Sequence, residues 1–289
     1  LLTNLDYELV KIATNNKVEY DTLIRTVKEF RDTLSTKLPS QPAKVAPLAF
    51  DLDESKWNIR RNQQAARRQS LQKDEVIQEM TNELLHNRIV SRSPLAQGWS
   101  QVHLARKPNG KWRYCIDFRV LNLLLTLIGW PLPRIKEMIT RIGNKKPKYF
   151  GKIDLTSGYH QMPLAAGSRK YTAFRTFHGL FEWNRVPMGI KQAAAYFQMQ
   201  MAQILHERLG NGIELYLDDI IFYAKTFEEY IELLRWILTK LREHNIVANP
   251  VKTELAFPVL EILGHKVDKD GVTFDKKKLQ GVVNFPQPQ

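Results

Sequence analysis

Leu215-Tyr216-Leu217-Asp218-Asp219-Ile220-Ile221 sets two acidic residues side by side between two apolar runs. Residues 214–217 and 220–224 are rich in the Ile, Leu, Tyr and Phe that strands favour. A tight turn at Asp218-Asp219 would present two carboxylates at the tip of a β-hairpin. Adjacent carboxylates repel each other, so the pair is costly without a cation. Hard divalent cations such as Mg²⁺ take carboxylate oxygens, and two of them about 4 Å apart clamp the attacking and leaving oxygens in phosphoryl transfer. A solvated turn accounts for the same residues, because Asp is common in turns.

The 289 residues suffice for one large domain or two small ones, and 43% hydrophobic content can bury a core. A net charge of +13 points to a polyanion, either nucleic acid or an acidic surface. No apolar run approaches the ~20 residues of a membrane span. The single cysteine, Cys115, excludes an internal disulfide and a Cys-cluster zinc site, which predicts an intracellular protein. The chain starts at Leu1 without a signal peptide, as a piece of a longer precursor would.

Residues 1–38 read as amphipathic helix, with Leu23, Val27, Phe30 and Leu34 at helical spacing. Pro39, Pro42 and Pro47 then mark a linker within a leader of about 50 residues. Lys56, Arg60, Arg61, Arg67, Arg68 and Lys73 form a run without acids, which either tracks a phosphate backbone or is a solvated face. Asp74 is a candidate N-cap for a helix carrying Ile77, Met80, Leu84 and Leu85. Asn109-Gly110 predicts a hairpin over 101–118, crowded by Arg106, Lys107, Lys111 and Arg113. Those cations could grip a triphosphate or protect an edge strand. Trp130-Pro131-Leu132-Pro133 opens a helix to Ile142, with proline in its first turn.

Residues 149–155 read as a strand ending in Asp154, either a third carboxylate beside 218–219 or a helix N-cap. Tyr159 follows five residues later as a neighbour of that acid or an ordinary half-buried aromatic, and His160 as a general acid or a structural histidine. A hairpin over 170–186 turns at His178-Gly179, and a helix spans 192–209. Thr226 with Glu229 makes a capping box for a helix to about His244. Strands are expected at 254–257, 260–267 and 272–274.

Several motifs in one order resemble the reverse transcriptases of gypsy-like long-terminal-repeat retrotransposons and, more distantly, of retroviruses. They are Lys111-Trp112-Arg113 with Asp117-Phe118-Arg119-Val120-Leu121-Asn122, and Lys152-Ile153-Asp154-Leu155 with Gly158-Tyr159-His160-Gln161. Phe181-Glu182-Trp183 with Pro187-Met188-Gly189 follows, then Phe197-Gln198, Tyr216-Leu217-Asp218-Asp219 and Leu263-Gly264-His265. The resemblance covers about 57–286.

It implies an α+β right-hand polymerase: 51–150 mainly fingers, 151–286 mainly palm with antiparallel sheet, a fingers hairpin near 165–187, and 287–289 a stub. The family's thumb and ribonuclease H would lie beyond this chain. Asp154, Asp218 and Asp219 would be catalytic and hold two Mg²⁺, with Mn²⁺ able to substitute. Arg113 and one of Arg106 or Lys107 would hold the outgoing phosphates, with Lys252 near the triphosphate. Tyr159 would be the gate against a ribose 2′-hydroxyl. Gln161 and the loop of Met188, where relatives carry Phe or Gln, would flank the sugar and the templating base pair. Tyr216 and Leu263-Gly264-His265 would contact the primer, and Arg60 and Arg61 the template. The implied activity is RNA-directed DNA polymerase. The implied partners are an RNA template, a DNA primer, their hybrid and deoxynucleoside triphosphates (dNTPs), with a second copy or the remaining polyprotein domains as further partners and no membrane. The implied place is a cytoplasmic virus-like particle or the nucleus. The alternative is a catalytically idle, domesticated fold that serves nucleic-acid binding or assembly.

Overall fold

The computed structural model describes residues 5–262 and 265–274. Residues 5–50 contribute to the core. After a 3-10 turn at Asp6–Leu9, β1 (Lys11–Ile12) pairs parallel with a strand near the far end of the chain, Lys11 opposite Glu254. Helix α1 (Lys17–Glu29) starts at Asn16, whose side chain accepts the Val18 and Glu19 N–H groups. It buries Leu23 and Val27, and Phe30 and Leu34 continue the stripe into the core. The proline segment also departs from a linker: Ala43 and Leu48 are buried, and Leu48 bridges Leu164.

Next come α2 (Glu54–Trp57), α3 (Leu71–His86), β2 (Val90–Arg92), β3 (Ser100–Arg106), β4 (Trp112–Ile116) and α4 (Arg119–Leu124). Ser70, not Asp74, caps α3: its Oγ accepts the Lys73 N–H, and Asp74 sits in the first turn. The strands β3 and β4 form the expected hairpin around Pro108-Asn109-Gly110. Helix α5 (Ile135–Lys145) begins after the prolines, so Pro131 and Pro133 lead into it and do not occupy its first turn.

Then follow β5 (Tyr149–Asp154), the one-turn helices α6 (Gly158–Gln161) and α7 (Ala166–Arg169), β6 (Phe174–Thr176), β7 (Gly179–Trp183) and α8 (Ala193–Leu205). The hairpin at His178-Gly179 is shorter than expected, because Lys170–Thr172 is a 3-10 turn. Strands β2, β7, β6, β3 and β4 make one five-stranded sheet, in which β3 and β6 run parallel.

The last described elements are β8 (Ile213–Tyr216), β9 (Asp219–Ala224), α9 (Phe227–Glu243), β10 (Glu254–Phe257), β11 (Val259–Ile262), β12 (His265–Asp268) and β13 (Gly271–Phe274). Thr226 caps α9 by accepting the Glu229 N–H. The expected strand over 260–267 is two antiparallel strands, with Ile262 opposite His265. The second five-stranded sheet has the order β1-β10-β5-β9-β8. Alternation along β9 buries both its faces. Ile220, Phe222 and Ala224 enter the large core with α8 and α9, while Ile221 and Tyr223 join Met138, Ile142, Leu260 and Val267 in a smaller one. Gly151 lets α9 approach: a Cβ there would fall inside the Phe222 ring, on which Tyr230 stacks at 4.8 Å.

Candidate active site

The three aspartates meet at one end of the β5-β9-β8 sheet. Asp154 closes β5, Asp219 opens β9, and they are direct partners across the antiparallel ladder. Such partners point to the same face with Cβ atoms about 5 Å apart. The turn is Leu217-Asp218, one residue earlier than the sequence predicts, and Asp219 is already in the strand opposite Tyr216. Leu217 has φ +53°, a left-handed conformation that costs a non-glycine residue roughly 1 kcal/mol. Gln198, buried on α8, holds it there. Its Oε1 accepts the Leu217 N–H at 2.8 Å, and its Nε2 donates to the Leu215 carbonyl at 3.3 Å. The Leu155 N–H reaches the Asp218 carbonyl at 3.4 Å and ties β5 to the turn.

Burial pushes the Asp154 carboxyl above the usual range; Lys252 pulls it back, and the charges of Asp218 and Asp219 push it further up. Burial likewise raises Asp219, against Lys152. The Lys252 Nζ lies 3.3 Å from Asp154 Oδ1, and the Lys152 Nζ lies 3.3 Å from Asp219 Oδ1. Asp218 is exposed on the turn. Among the described residues no three His, Cys, Asp or Glu side chains form a ready-made metal cage. The donor chemistry still fits a hard divalent cation: three carboxylates, two of them raised by burial and mutual repulsion. Asp154, Asp218 and Asp219 would hold it, with Asp218 turning in and the lysines giving way.

The structure gathers some of the other expected residues around this end. Gly158 lies against the turn, since a Cβ there would come 3.0 Å from the Phe197 ring and 3.6 Å from Asp218 Cβ. Tyr159 packs edge-on to Phe197 with centroids 5.4 Å apart. Burial, then the Asp218 charge, raises its hydroxyl, so it stays protonated. Met188 is exposed on a loop held by Asn122, whose Nδ2 donates to the Gly189 carbonyl at 2.8 Å and whose Oδ1 accepts the Lys191 N–H at 2.7 Å. Tyr216 packs against the smaller core.

Gln161 is a correction. It is fully buried, its Nε2 donating to Thr156 and Val247 carbonyls and its Oε1 accepting the Val247 N–H, so no side-chain atom faces a nucleotide. Polarity in a motif does not distinguish a ligand contact from a bond to buried backbone.

On the β3–β4 hairpin, Arg106 stacks 4.2 Å over Trp112, its register partner. Arg113 pairs with Ala105 and so stands on the other face. Neither Arg113 nor Lys107 has a side-chain partner among the described residues. Arg60 and Arg61 are exposed on a 3-10 turn. His265 opens β12; Leu263 and Gly264, the other two residues expected to grip the primer, lie outside the described residues.

His160 is not placed as a general acid. Its Nε2 is buried without a partner, and burial, with the Arg185 charge behind it, holds the ring down at about 4 against an ordinary 6.5. A depressed histidine leaves the unfolded chain to bind the proton first. Its contribution to stability is therefore complete above pH 6.5 and lost as pH falls towards 4, on the order of 3 kcal/mol. Urea midpoints measured across that window should fall in the wild type and stay flatter in His160→Phe; equal slopes would contradict it.

The profile of the family described as Reverse transcriptase (RNA-dependent DNA polymerase) matches residues 105–267, which hold all three aspartates. The chain belongs to this family. The Pol polyprotein of transposon opus from Drosophila melanogaster is 34% identical over 216 residues, covering 73% of this chain and 21% of that protein. The Pol polyprotein of transposon gypsy from the same fly is 32% identical over 180 residues, covering 62% of this chain and 17% of that protein. The chain thus spans about a fifth of the length of the relatives it matches. Its fold is that of the foamy viral protease-reverse transcriptase, solved in complex with dsDNA. The TM-score is 0.80 at 22% identity, over 98% of this reverse-transcriptase chain and 58% of that one. The complex of that protein with an RNA/DNA hybrid gives 0.77, over 98% and 37%. The sequence-derived fold, fingers and palm with antiparallel sheet, agrees with these neighbours. Among the described residues no helix is long and apolar enough to cross a membrane.

Proposed function

We propose that this chain is the fingers and palm of an RNA-directed DNA polymerase from a long-terminal-repeat retrotransposon. The observation that carries the reading is the register of Asp154 opposite Asp219, with Asp218 on the adjoining turn, inside the matched family region. Two divalent cations, Mg²⁺ with Mn²⁺ as substitute, would supply activation of the primer hydroxyl and neutralisation of charge at the leaving phosphates. The chain's own residues do the rest. The three aspartates hold the cations. Arg113, with Arg106 or Lys107, holds the outgoing phosphates, and Lys252 stands beside Asp154 on the same side. Tyr159, backed by Phe197, stands where a ribose 2′-hydroxyl would need room. The Met188 loop, anchored by Asn122, flanks the base pair. Tyr216 and His265, on the face carrying β11 and β12, contact the primer, while Arg60, Arg61, Arg67 and Arg68 track template phosphates.

A primer-extension assay on an RNA template with a DNA primer tests the reading: templated addition of the complementary dNTP supports it, and its absence despite template binding refutes it. Tyr159→Ala should relax sugar selection by about 100-fold, the scale on which a packed site rejects one added hydroxyl. Unchanged dNTP preference would remove the gate. Substituting Arg60 and Arg61 by Ala should reduce the slope of log affinity against log salt by about 2, since each phosphate contact contributes roughly 0.9. An unchanged slope makes the run a solvated face.

One observation favours a second reading. Lys152 and Lys252 already pair with Asp219 and Asp154, so the fold has a counter-charge for each without a cation, as an idle module for nucleic-acid binding or assembly would require. Template binding without incorporation would select it.

A further inference from the structure

Arg185 is 2% exposed, and among the described residues no carboxylate pairs with it. Its guanidinium instead donates to three backbone carbonyls: His160 at 3.2 Å, and Pro39 and Ser40 at 3.0 Å each. A buried cation without a carboxylate is expensive to keep, so the contacts it makes define what it is for. They join the leader to the residue directly after Tyr159.

Helix α6, which carries Tyr159, cannot hold its own position. It is a single turn of four residues, its N-cap Ser157 has φ +44°, and no side chain caps it. One turn does not stabilise itself. Its place is set from outside. Phe197 stands in front of Tyr159. Behind it, the Ala43 N–H of the leader donates to the Gln161 carbonyl at 2.7 Å, and Arg185 grips the His160 carbonyl.

We propose that Arg185 is a positioning residue for sugar selection. By tying the His160 carbonyl to the Pro39 and Ser40 carbonyls, it makes the leader the backstop against which Tyr159 rejects a ribose 2′-hydroxyl. The inference rests on the polymerase reading above and extends it: the leader, which carries no chemistry of its own, sets the substrate class of the site. Arg185 need touch neither nucleotide nor cation. A gate that recedes by a fraction of an ångström admits the extra hydroxyl, while the aspartates on β5 and β9 stay in register.

The test is the ratio of kcat/KM for a dNTP to that for the matching ribonucleotide, on one primer–template, across variants of the whole chain. Arg185→Met removes the fork. Arg185→Lys keeps the charge and loses the planar three-carbonyl geometry. Ser40→Pro is at an exposed position of the leader, removes no N–H in use among the described residues, and re-aims the preceding carbonyl, so it guards against a loss of folding at the buried position. The dNTP preference should fall by about 10-fold in both arginine variants and by less in Ser40→Pro, with kcat for the dNTP within a few-fold of wild type. Loss of folding alone would lower both nucleotides equally and leave the ratio unmoved. A wild-type ratio in Ser40→Pro and in every arginine variant that folds overturns the inference and leaves the polymerase reading standing. A wild type that incorporates neither nucleotide removes that reading, and this inference with it.

Discussion

Asp218→Asn is expected to slow single-nucleotide incorporation at least ~10³-fold, because removing one anionic ligand takes several kcal/mol from charge stabilisation at the reacting phosphate. The same substitution should leave the fold almost untouched. Asp218 is exposed, among the described residues only its backbone carbonyl contributes a bond to the architecture, and asparagine keeps the shape. Template affinity and melting temperature should therefore stay at wild-type values while the rate collapses. Asp154→Asn and Asp219→Asn are less clean, since each strands a lysine whose carboxylate partner has gone. Rapid-quench incorporation by the folded Asp218→Asn protein within tenfold of wild type would mean that this carboxylate is not a cation ligand.

Deleting residues 5–48 is expected to unfold the remaining chain. The segment buries Leu23, Val27, Phe30, Leu34 and Leu48, each 3% exposed or less. At about 1.5–3 kcal/mol per buried side chain, these five alone amount to roughly 7–15 kcal/mol, the whole stability of an ordinary domain. The deletion also removes β1 from β10, and it takes Glu29 from Arg235 and Asp32 from Arg242. Circular dichroism and size-exclusion should show aggregated or molten material. A cooperative melt within a few degrees of wild type would make the leader dispensable.

The acidic hairpin was legible because the unbroken run of strand-favouring apolar residues over 220–224 reads as a strand, and the motif order supplied its place beside Asp154. The one-residue offset of its turn was not legible. It depends on Gln198, nineteen residues away, bonding Leu217 in a conformation that no local propensity favours. Gln161 was misread for the same reason: its partners Thr156 and Val247 are set by tertiary packing. Asp74 reads as the cap of α3, but the helix starts a turn earlier at Ser70, a boundary that the backbone geometry fixes and the local residue types do not. The leader's role was hidden because its apolar stripe shows that something is buried but not against what. Arg185 gave no signal at all, since an arginine in a strand-rich motif reads as a surface residue until its three carbonyl acceptors are seen.

In the proposed function Asp154, Asp218 and Asp219 act together as a cation-dependent nucleotidyl-transfer site. The most direct measurement is single-turnover addition of one complementary dNTP to a DNA primer on an RNA template, with Mg²⁺ or with chelator, for wild type and Asp218→Asn side by side. Wild type with Mg²⁺ should add the nucleotide, and the other three arms should show near-zero addition at equal template occupancy. Cation-independent addition, or addition by Asp218→Asn at the wild-type rate, would contradict that function.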